Sequence, residues 1–375
     1  MDRGRHGSRV EGQGLRGNDL DRLLRPSLRG IKPYQPIRPP GAEESDAIAG
    51  PVIKLDGNEN VYGCSPRVQE ALRRLSTYHI YPDPDQTRLR KALESYTGLD
   101  SSYILAGAGS DELIDLLLRL FLDPGQKVID CVPTFGMYSF STELMGGAVT
   151  AIRRRADFHV DISAVIKAID APTKVVFVAS PNNPTGNVTP REDILALLDT
   201  GRLIVVDEAY YEFCGKTVVD LVPAYDNLVV LRTFSKWAGL AGLRVGYGLC
   251  APEIVARLMA IKQPYNINVA AEVAALESLE DREYLLGTAN KLVAERDRMF
   301  RLLKGIPYLE PIPSEANFIL SWVKGHKAQD IQQKLRRKGI FVRYFDTPIL
   351  ESAVRISAGK PEHTDAVIAA LREWA

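Results

Sequence analysis

Seven short apolar runs rich in β-branched residues recur between residues 103 and 250, each bounded by turn formers. They are Tyr103–Ala106, Lys127–Cys131, Ala148–Ile152, Lys174–Ala179, Leu203–Val206, Leu228–Leu231 and Val245–Leu249. Segments with helical spacing separate many of them, as in Asp111–Leu122 and Arg191–Leu198. Strands alternating with helices predict βαβ units and a mostly parallel sheet covered on both faces. The unbroken apolar run Val175–Ala179 predicts a central strand with both sides buried. The expected fold class is α/β.

Beyond about residue 265 the pattern changes. A long helical stretch is predicted through Val269–Lys304, with Glu295, Arg296, Asp297 and Arg298 on a solvated face. A strand (Asn317–Trp322), a helix (Ala328–Lys338), a strand (Ile340–Tyr344) and a helix (Pro361–Trp374) follow. This predicts a smaller α+β domain made of residues 270–375, with residues 51–76 around Asp56 packed into it. Residues 77–269 then form the large domain. Residues 1–50 read as an N-terminal arm. Its first thirty residues are rich in Arg and Gly, with Asp2, Glu11, Asp19 and Asp21 interspersed and no apolar core segment. They fit a flexible start better than a secretory or transit signal.

Composition narrows the function. A chain of 375 residues is long enough for two domains, and its 47 basic and 47 acidic residues give no net charge. Nothing in that balance favours nucleic acid or an anionic membrane as partner. No apolar run is long enough to span a bilayer. Cys64, Cys131, Cys214 and Cys250 are far apart and show no CxxC spacing. They read as reduced thiols of a cytoplasmic protein, without a disulfide or metal role.

The chemistry concentrates at strand ends, where ligands of open α/β sheets bind. Ala106-Gly107-Ala108-Gly109-Ser110-Asp111 leaves a strand and opens an apolar helix. Its glycines and free N–H groups suit a phosphate, though a plain capped turn has the same look. Asp207 ends the strand Leu203–Val206. A carboxylate there needs a partner, which is either a cap, a salt bridge or a cationic ring nitrogen. Lys236 follows a buried strand beside Thr233 and Ser235, with Arg244 eight positions on. A desolvated lysine can form an imine with an aldehyde and then move protons, while hydroxyls with a guanidinium suit a phosphate. Asn183 sits in an Asn-Pro turn, and Tyr138 can either stack on a flat ring or pack in the core. Arg343 and Arg355 each lie inside an apolar strand-like run and must be paired, to an acid of the chain or to an anionic substrate. A buried lysine, a strand-end Asp, an Asn-Pro turn and a nearby arginine together are what a pyridoxal phosphate (PLP) site needs.

Several motifs in order carry a family resemblance. They are Ile31–Pro36, Ile53-Lys54-Leu55-Asp56-Gly57-Asn58-Glu59-Asn60, Tyr81-Pro82-Asp83-Pro84, Ser180–Gly186, Asp207–Tyr210, Leu231–Tyr247 and Val354–Lys360. From Ile31 onward the chain resembles the histidinol-phosphate aminotransferases, within the fold-type I PLP-dependent transferases. The resemblance implies a large domain with a mostly parallel seven-stranded sheet and a smaller α+β domain. It implies PLP as cofactor, histidinol phosphate and glutamate/2-oxoglutarate as substrates, histidine biosynthesis as the setting, and a homodimer with shared sites. Carried over by position, Lys236 bonds the cofactor and moves the proton, and Asp207 pairs with its ring nitrogen. Asn183 and Tyr210 bond the phenolic oxygen, and Tyr138 lies against the ring. Gly109, Ser110, Asp111, Thr233, Ser235 and Arg244 surround the phosphate, and Tyr81 reaches the site of the partner subunit. Arg355, with Arg343, Tyr34 and Asn58, takes the anionic end of the substrate. Aromatic amino acid aminotransferases and phospho-amino-acid decarboxylases share the cofactor motifs, and a non-catalytic phosphate binder can share the fold. Val61 after Asn60, and Gly57, depart from the usual family residues and bear on fine specificity.

Overall fold

The computed structural model describes residues 22–34, Pro36 and residues 51–374. Most of the predicted arm, residues 1–50, lies outside the described residues. The first strand, β1 (Ile53–Leu55), belongs to the smaller of two sheets. The larger sheet holds β2 (Ile104–Gly107), β3 (Lys127–Val132), β4 (Ala148–Arg153), β5 (Thr173–Ala179), β6 (Leu203–Asp207), β7 (Leu228–Thr233) and β8 (Gly246–Cys250). These are the seven predicted runs, with ends that agree to within two residues. Their spatial order is β2-β8-β7-β6-β5-β3-β4. All neighbours are parallel except β8, which runs antiparallel to both β2 and β7.

Side-chain alternation splits the core into two layers. Val176, Val178, Ile204, Val206 and Val230 face one helical layer. Val175, Phe177, Val205, Val229 and Leu231 face the other. A period of two then fixes what happens at the strand ends. Asp207 emerges on the side of Val205, and Glu208 on the side of Val206.

The second sheet has the order β1-β11-β12-β10-β9, with β9 (Leu309–Pro311), β10 (Phe318–Val323), β11 (Ile340–Tyr344) and β12 (Ala353–Ser357). Strand β1 pairs parallel to β11, and the other pairings are antiparallel. The helices Arg282–Leu303, Ala328–Arg337 and Pro361–Arg372 supply its core with Met299, Ile331 and Val367.

Two helical expectations need correction. The stretch Val269–Lys304 is two helices, Val269–Glu280 and Arg282–Leu303, because Asp281 leaves helical geometry at φ −108°, ψ 29°. Aspartate bonds nearby backbone outside helices and favours such breaks. Glu295 and Arg296 are buried rather than solvated. Arg296 donates to the carbonyl of Ala316 at 3.0 Å, and Glu295 accepts from Arg298 at 2.7 Å. Arg296 thus ties the helix to the segment just before β10.

Candidate active site

A cavity of about 750 Å³ opens at the carboxyl ends of β5, β6 and β7. Ala179, Asp207 and Thr233 end those strands and border it, while Arg343, Phe345 and Arg355 close it from the small sheet. It is therefore built between the two sheets. On the opposite side of the same strand ends lies a second cavity of about 600 Å³. Its charged side chains are already paired, Lys216 with Glu315 and Arg191 with Asp220.

Asp207 borders the first cavity and is buried. Its Oδ2 accepts from the Tyr138 hydroxyl at 2.6 Å, and its Oδ1 accepts from the Ala209 N–H at 3.0 Å. Burial pushes its pKa up to about 6, against the pull of those two hydrogen bonds. The carboxylate is thus oriented and poised to gain from a cationic partner.

Lys236 follows β7 and projects into the same cavity, where its Nζ donates to the carbonyl of Gly57 at 3.0 Å. Burial, then the charge of Arg355, lowers it to about 8 from the usual 10.5. At neutral pH the free amine is then on the order of several hundredfold more abundant than for an ordinary lysine.

Close by is an anion cradle. Ser110 begins the helix Ser110–Phe121, whose unpaired N–H groups and dipole favour negative charge. Arg244, at φ 55°, donates to Asp111 at 2.9 Å and to Ser235 Oγ at 3.5 Å. Thr233 Oγ1 accepts from the Ser235 N–H at 3.1 Å, fixing the turn. Gly109 has φ 80°, and a Cβ there would lie 2.4 Å from Arg244 Nη2. The left-handed backbone favours glycine there, and any side chain would have to displace the Arg244 guanidinium.

The small-sheet side presents cations. Arg343 and Arg355 are register partners on β11 and β12. Arg355 is buried and donates to Asn183 Oδ1 and to the carbonyl of Asp56, while its Nε has no protein partner. Burial lowers its pKa to about 10, and Arg343 adds to the effect. Phe318 and Phe345 carry the guanidinium at 5.3 and 5.6 Å. Tyr34 lines the cavity beside Phe140. Asn58 has the left-handed φ of 54° and donates from Nδ2 to the Tyr210 hydroxyl at 2.9 Å.

One assignment differs in geometry from the expectation. Tyr138 does not offer an open ring face to the cavity. It is entirely buried, and its ring stacks on Phe177 at 4.6 Å, because Met137–Leu144 packs it into the sheet layer beneath Asp207. Phe135, half-buried at the cavity wall, is the aromatic side chain of that segment nearer the open space. Tyr81 does not border the cavity of its own chain. It is 76% exposed and stacks on Tyr265 at 4.3 Å.

Other contributors escape the sequence reading. Ser357 Oγ accepts from the Asn58 N–H and donates to its Oδ1, both at 2.9 Å. Asn317 Nδ2 donates to the Asn58 carbonyl at 3.0 Å. Ser357 lies two residues beyond Arg355 on one strand, so period-two spacing points to it. Phe345 and Asn317 carry no comparable signal.

The donor set can be tested against PLP. The cofactor needs an amine for its aldehyde, an anion for its ring nitrogen, and cations with N–H donors for its phosphate. Lys236, Asp207 and the Ser110/Ser235/Arg244 cradle meet those needs around one cavity. The orphaned, buried Arg355 Nε fits a further anion.

The family pattern described as "Aminotransferase class I and II" matches residues 50–371. Histidinol-phosphate aminotransferase of Dehalococcoides mccartyi is 49% identical over 355 residues, covering 95% of this chain and 98% of that protein. The chloroplastic histidinol-phosphate aminotransferase 1 of Arabidopsis thaliana is 46% identical over 359 residues, covering 94% and 86%. The crystal structure of histidinol-phosphate aminotransferase from Sinorhizobium meliloti in complex with pyridoxal-5'-phosphate superposes with a TM-score of 0.85 at 27% identity, covering 94% of this chain and 98% of that one. With a lysine, an aspartate and an arginine cradle at the strand ends of a matching fold, the chain belongs to the class I and II aminotransferases and, within them, to the histidinol-phosphate aminotransferase family.

Proposed function

We propose that this chain transfers the amino group of L-histidinol phosphate to 2-oxoglutarate, giving imidazole-acetol phosphate and L-glutamate, reversibly, as a step of histidine biosynthesis. PLP is the cofactor. The observation that carries the reading is a lysine of lowered basicity sharing one cavity with a strand-end carboxylate and with two separate arginine sites, Arg244 and Arg343/Arg355. One arginine site serves the cofactor phosphate, and the other serves the substrate.

Each residue then has a physical task. When bound, PLP supplies an electron-withdrawing ring that stabilises negative charge at the carbon carrying the amino group. Asp207 would supply the negative charge that favours the protonated ring nitrogen. Lys236 would hold the aldehyde carbon of the cofactor, and its amine of lowered basicity would be the base that moves a proton at the substrate carbon. Asn183 and Tyr210 hold the phenolic oxygen. Ser110, Ser235 and Arg244, with the helix amides, hold the phosphate. Arg355 and Arg343 meet the phosphate of histidinol phosphate in one half-reaction and a carboxylate of glutamate in the other. A guanidinium fork suits both, because each ligand presents oxygens at fork spacing.

The working unit in this reading is a cytoplasmic homodimer. Tyr78, Ile80 and Tyr81 are exposed, at 64%, 54% and 76%, and Tyr265 beside them at 47%. An apolar aromatic surface of this kind favours burial against a second copy. Tyr81 would then complete the site of the partner subunit.

The decisive assay compares the specificity constants for histidinol phosphate and phenylalanine with 2-oxoglutarate as acceptor. A large preference for histidinol phosphate is expected. A preference for phenylalanine would move the assignment to aromatic amino acids. Lys236→Ala should keep less than about a thousandth of the activity, since it removes both nucleophile and base.

A further inference from the structure

Tyr138 belongs to the helix Met137–Leu144, on the side of the large sheet that also carries Phe177 and Val205. Asp207 emerges on that side as well. The tyrosine ring lies parallel to Phe177 at 4.6 Å and 2°, and meets the edge of Phe135 at 5.6 Å and 84°. Thr142 Oγ1 donates to its carbonyl at 2.7 Å. With the ring clamped in this way, the hydroxyl is held 2.6 Å from Asp207 Oδ2. The Ala209 N–H holds the other oxygen. Both carboxylate oxygens thus have a fixed donor, and the plane of the carboxylate is set by the protein. Burial, followed by the charge of Asp207, raises the phenol well above its usual value, so it remains a donor across the working range.

We propose that Tyr138 is a positioning residue that acts through Asp207. Its hydroxyl keeps that carboxylate ionised and aimed at the ring nitrogen of PLP, and so sets how firmly the nitrogen holds its proton. This role rests on the reading of the cavity as a PLP site. It replaces ring stacking as the contribution of Tyr138, and it assigns the aromatic wall to Phe135.

Tyr138→Phe tests it, because the ring and its stacking stay while one hydroxyl is lost. A less firmly ionised Asp207 leaves the ring nitrogen less protonated, and the imine of Lys236 becomes more basic. The pH midpoint of the visible absorption of the bound cofactor should therefore move upward, by about one pH unit. The dissociation constant for PLP, read by dialysis, should rise about tenfold. The turnover number should fall about tenfold, with the KM for histidinol phosphate within about twofold. Phe177→Leu loosens the clamp on the ring but keeps the hydroxyl, and its midpoint should move upward by less than that of Tyr138→Phe. If Tyr138→Phe does not fold, 3-fluorotyrosine at position 138 makes the same test with opposite sign. A more acidic phenol donates more strongly, and the midpoint should move down. An unmoved midpoint together with unchanged PLP affinity overturns the role. An unaltered chain that takes up no PLP overturns the site reading and this role together.

Discussion

Asp207 and Lys236 are both displaced from their usual acidities by burial, in opposite senses. The pH consequence of Asp207 can be given a sign. Its pKa in the folded chain, about 6, lies above the ordinary 3.8. Holding it ionised therefore costs stability above about pH 6, and that cost is relieved as pH falls toward 3.8. The same protonation removes the charge that PLP needs. Uptake of PLP by the cofactor-free protein should thus weaken as pH falls through about 6, while the contribution of this group to folding stability improves. Equilibrium dialysis and thermal melts over one pH series check both signs. In Asp207→Asn the step in uptake near pH 6 should vanish. At this scale the sequence is informative wherever a strand end announces a residue. Asp207 stands out because it follows an unbroken apolar run, and Lys236 because it follows a buried strand beside Thr233 and Ser235. The hydroxyl of Tyr138 does not, because its direction depends on how a neighbouring helix packs on Phe177.

Among the elements, the turn after Lys236 is closely joined to the segment that begins at Asn60. Asn60 Nδ2 donates to the carbonyl of Trp237 at 2.8 Å. Gly239, at φ 68°, approaches the backbone of Gly63 so closely that a Cβ would lie 2.4 Å from its carbonyl carbon. Gly239→Ala meets both a left-handed backbone and an unyielding neighbour. It should lower stability by about 2–4 kcal/mol, read as a lower denaturation midpoint, and should raise the KM for histidinol phosphate by displacing Asn58. The strands of the large sheet are legible in the chain because β-branched runs between turn formers have no other plausible use. The antiparallel course of β8 is not, since an apolar strand buried on both faces reads the same in either direction. Strands β1 and β9 span three residues each. A run that short shows no period, and only pairing with β11 and β10 identifies it.

For the molecule as a whole, the shared-site dimer makes a prediction that a self-contained monomer does not. Lys236→Ala and Tyr81→Ala should each be nearly inactive as homodimers. Refolded together in equal amounts, they should form hybrids in which one of the two sites carries both defects and the other carries neither. Recovered activity should reach about a quarter of the unaltered level, given random pairing of two symmetric subunits. Light scattering after size exclusion checks the dimer itself, and no recovery on mixing would place Tyr81 outside the partner's site. The two-sheet architecture follows from the change of texture near residue 265. The cavity between the sheets does not, because it depends on how Arg343 and Arg355 come to face Lys236.

The parallel pairing of β1 with β11 joins residues 53–55 to residues 340–342. During synthesis on the ribosome, β1 emerges long before its partner exists. At usual elongation rates the interval is roughly 15–60 s. Throughout that time the large sheet can form while Asn58, Gly57 and the loop to Gly63 have no small sheet to rest on. The nascent chain therefore carries Lys236 and Asp207 before it carries a closed cavity, and the carbonyl of Asp56 has no Arg355 to bind until the last tenth of the chain is made.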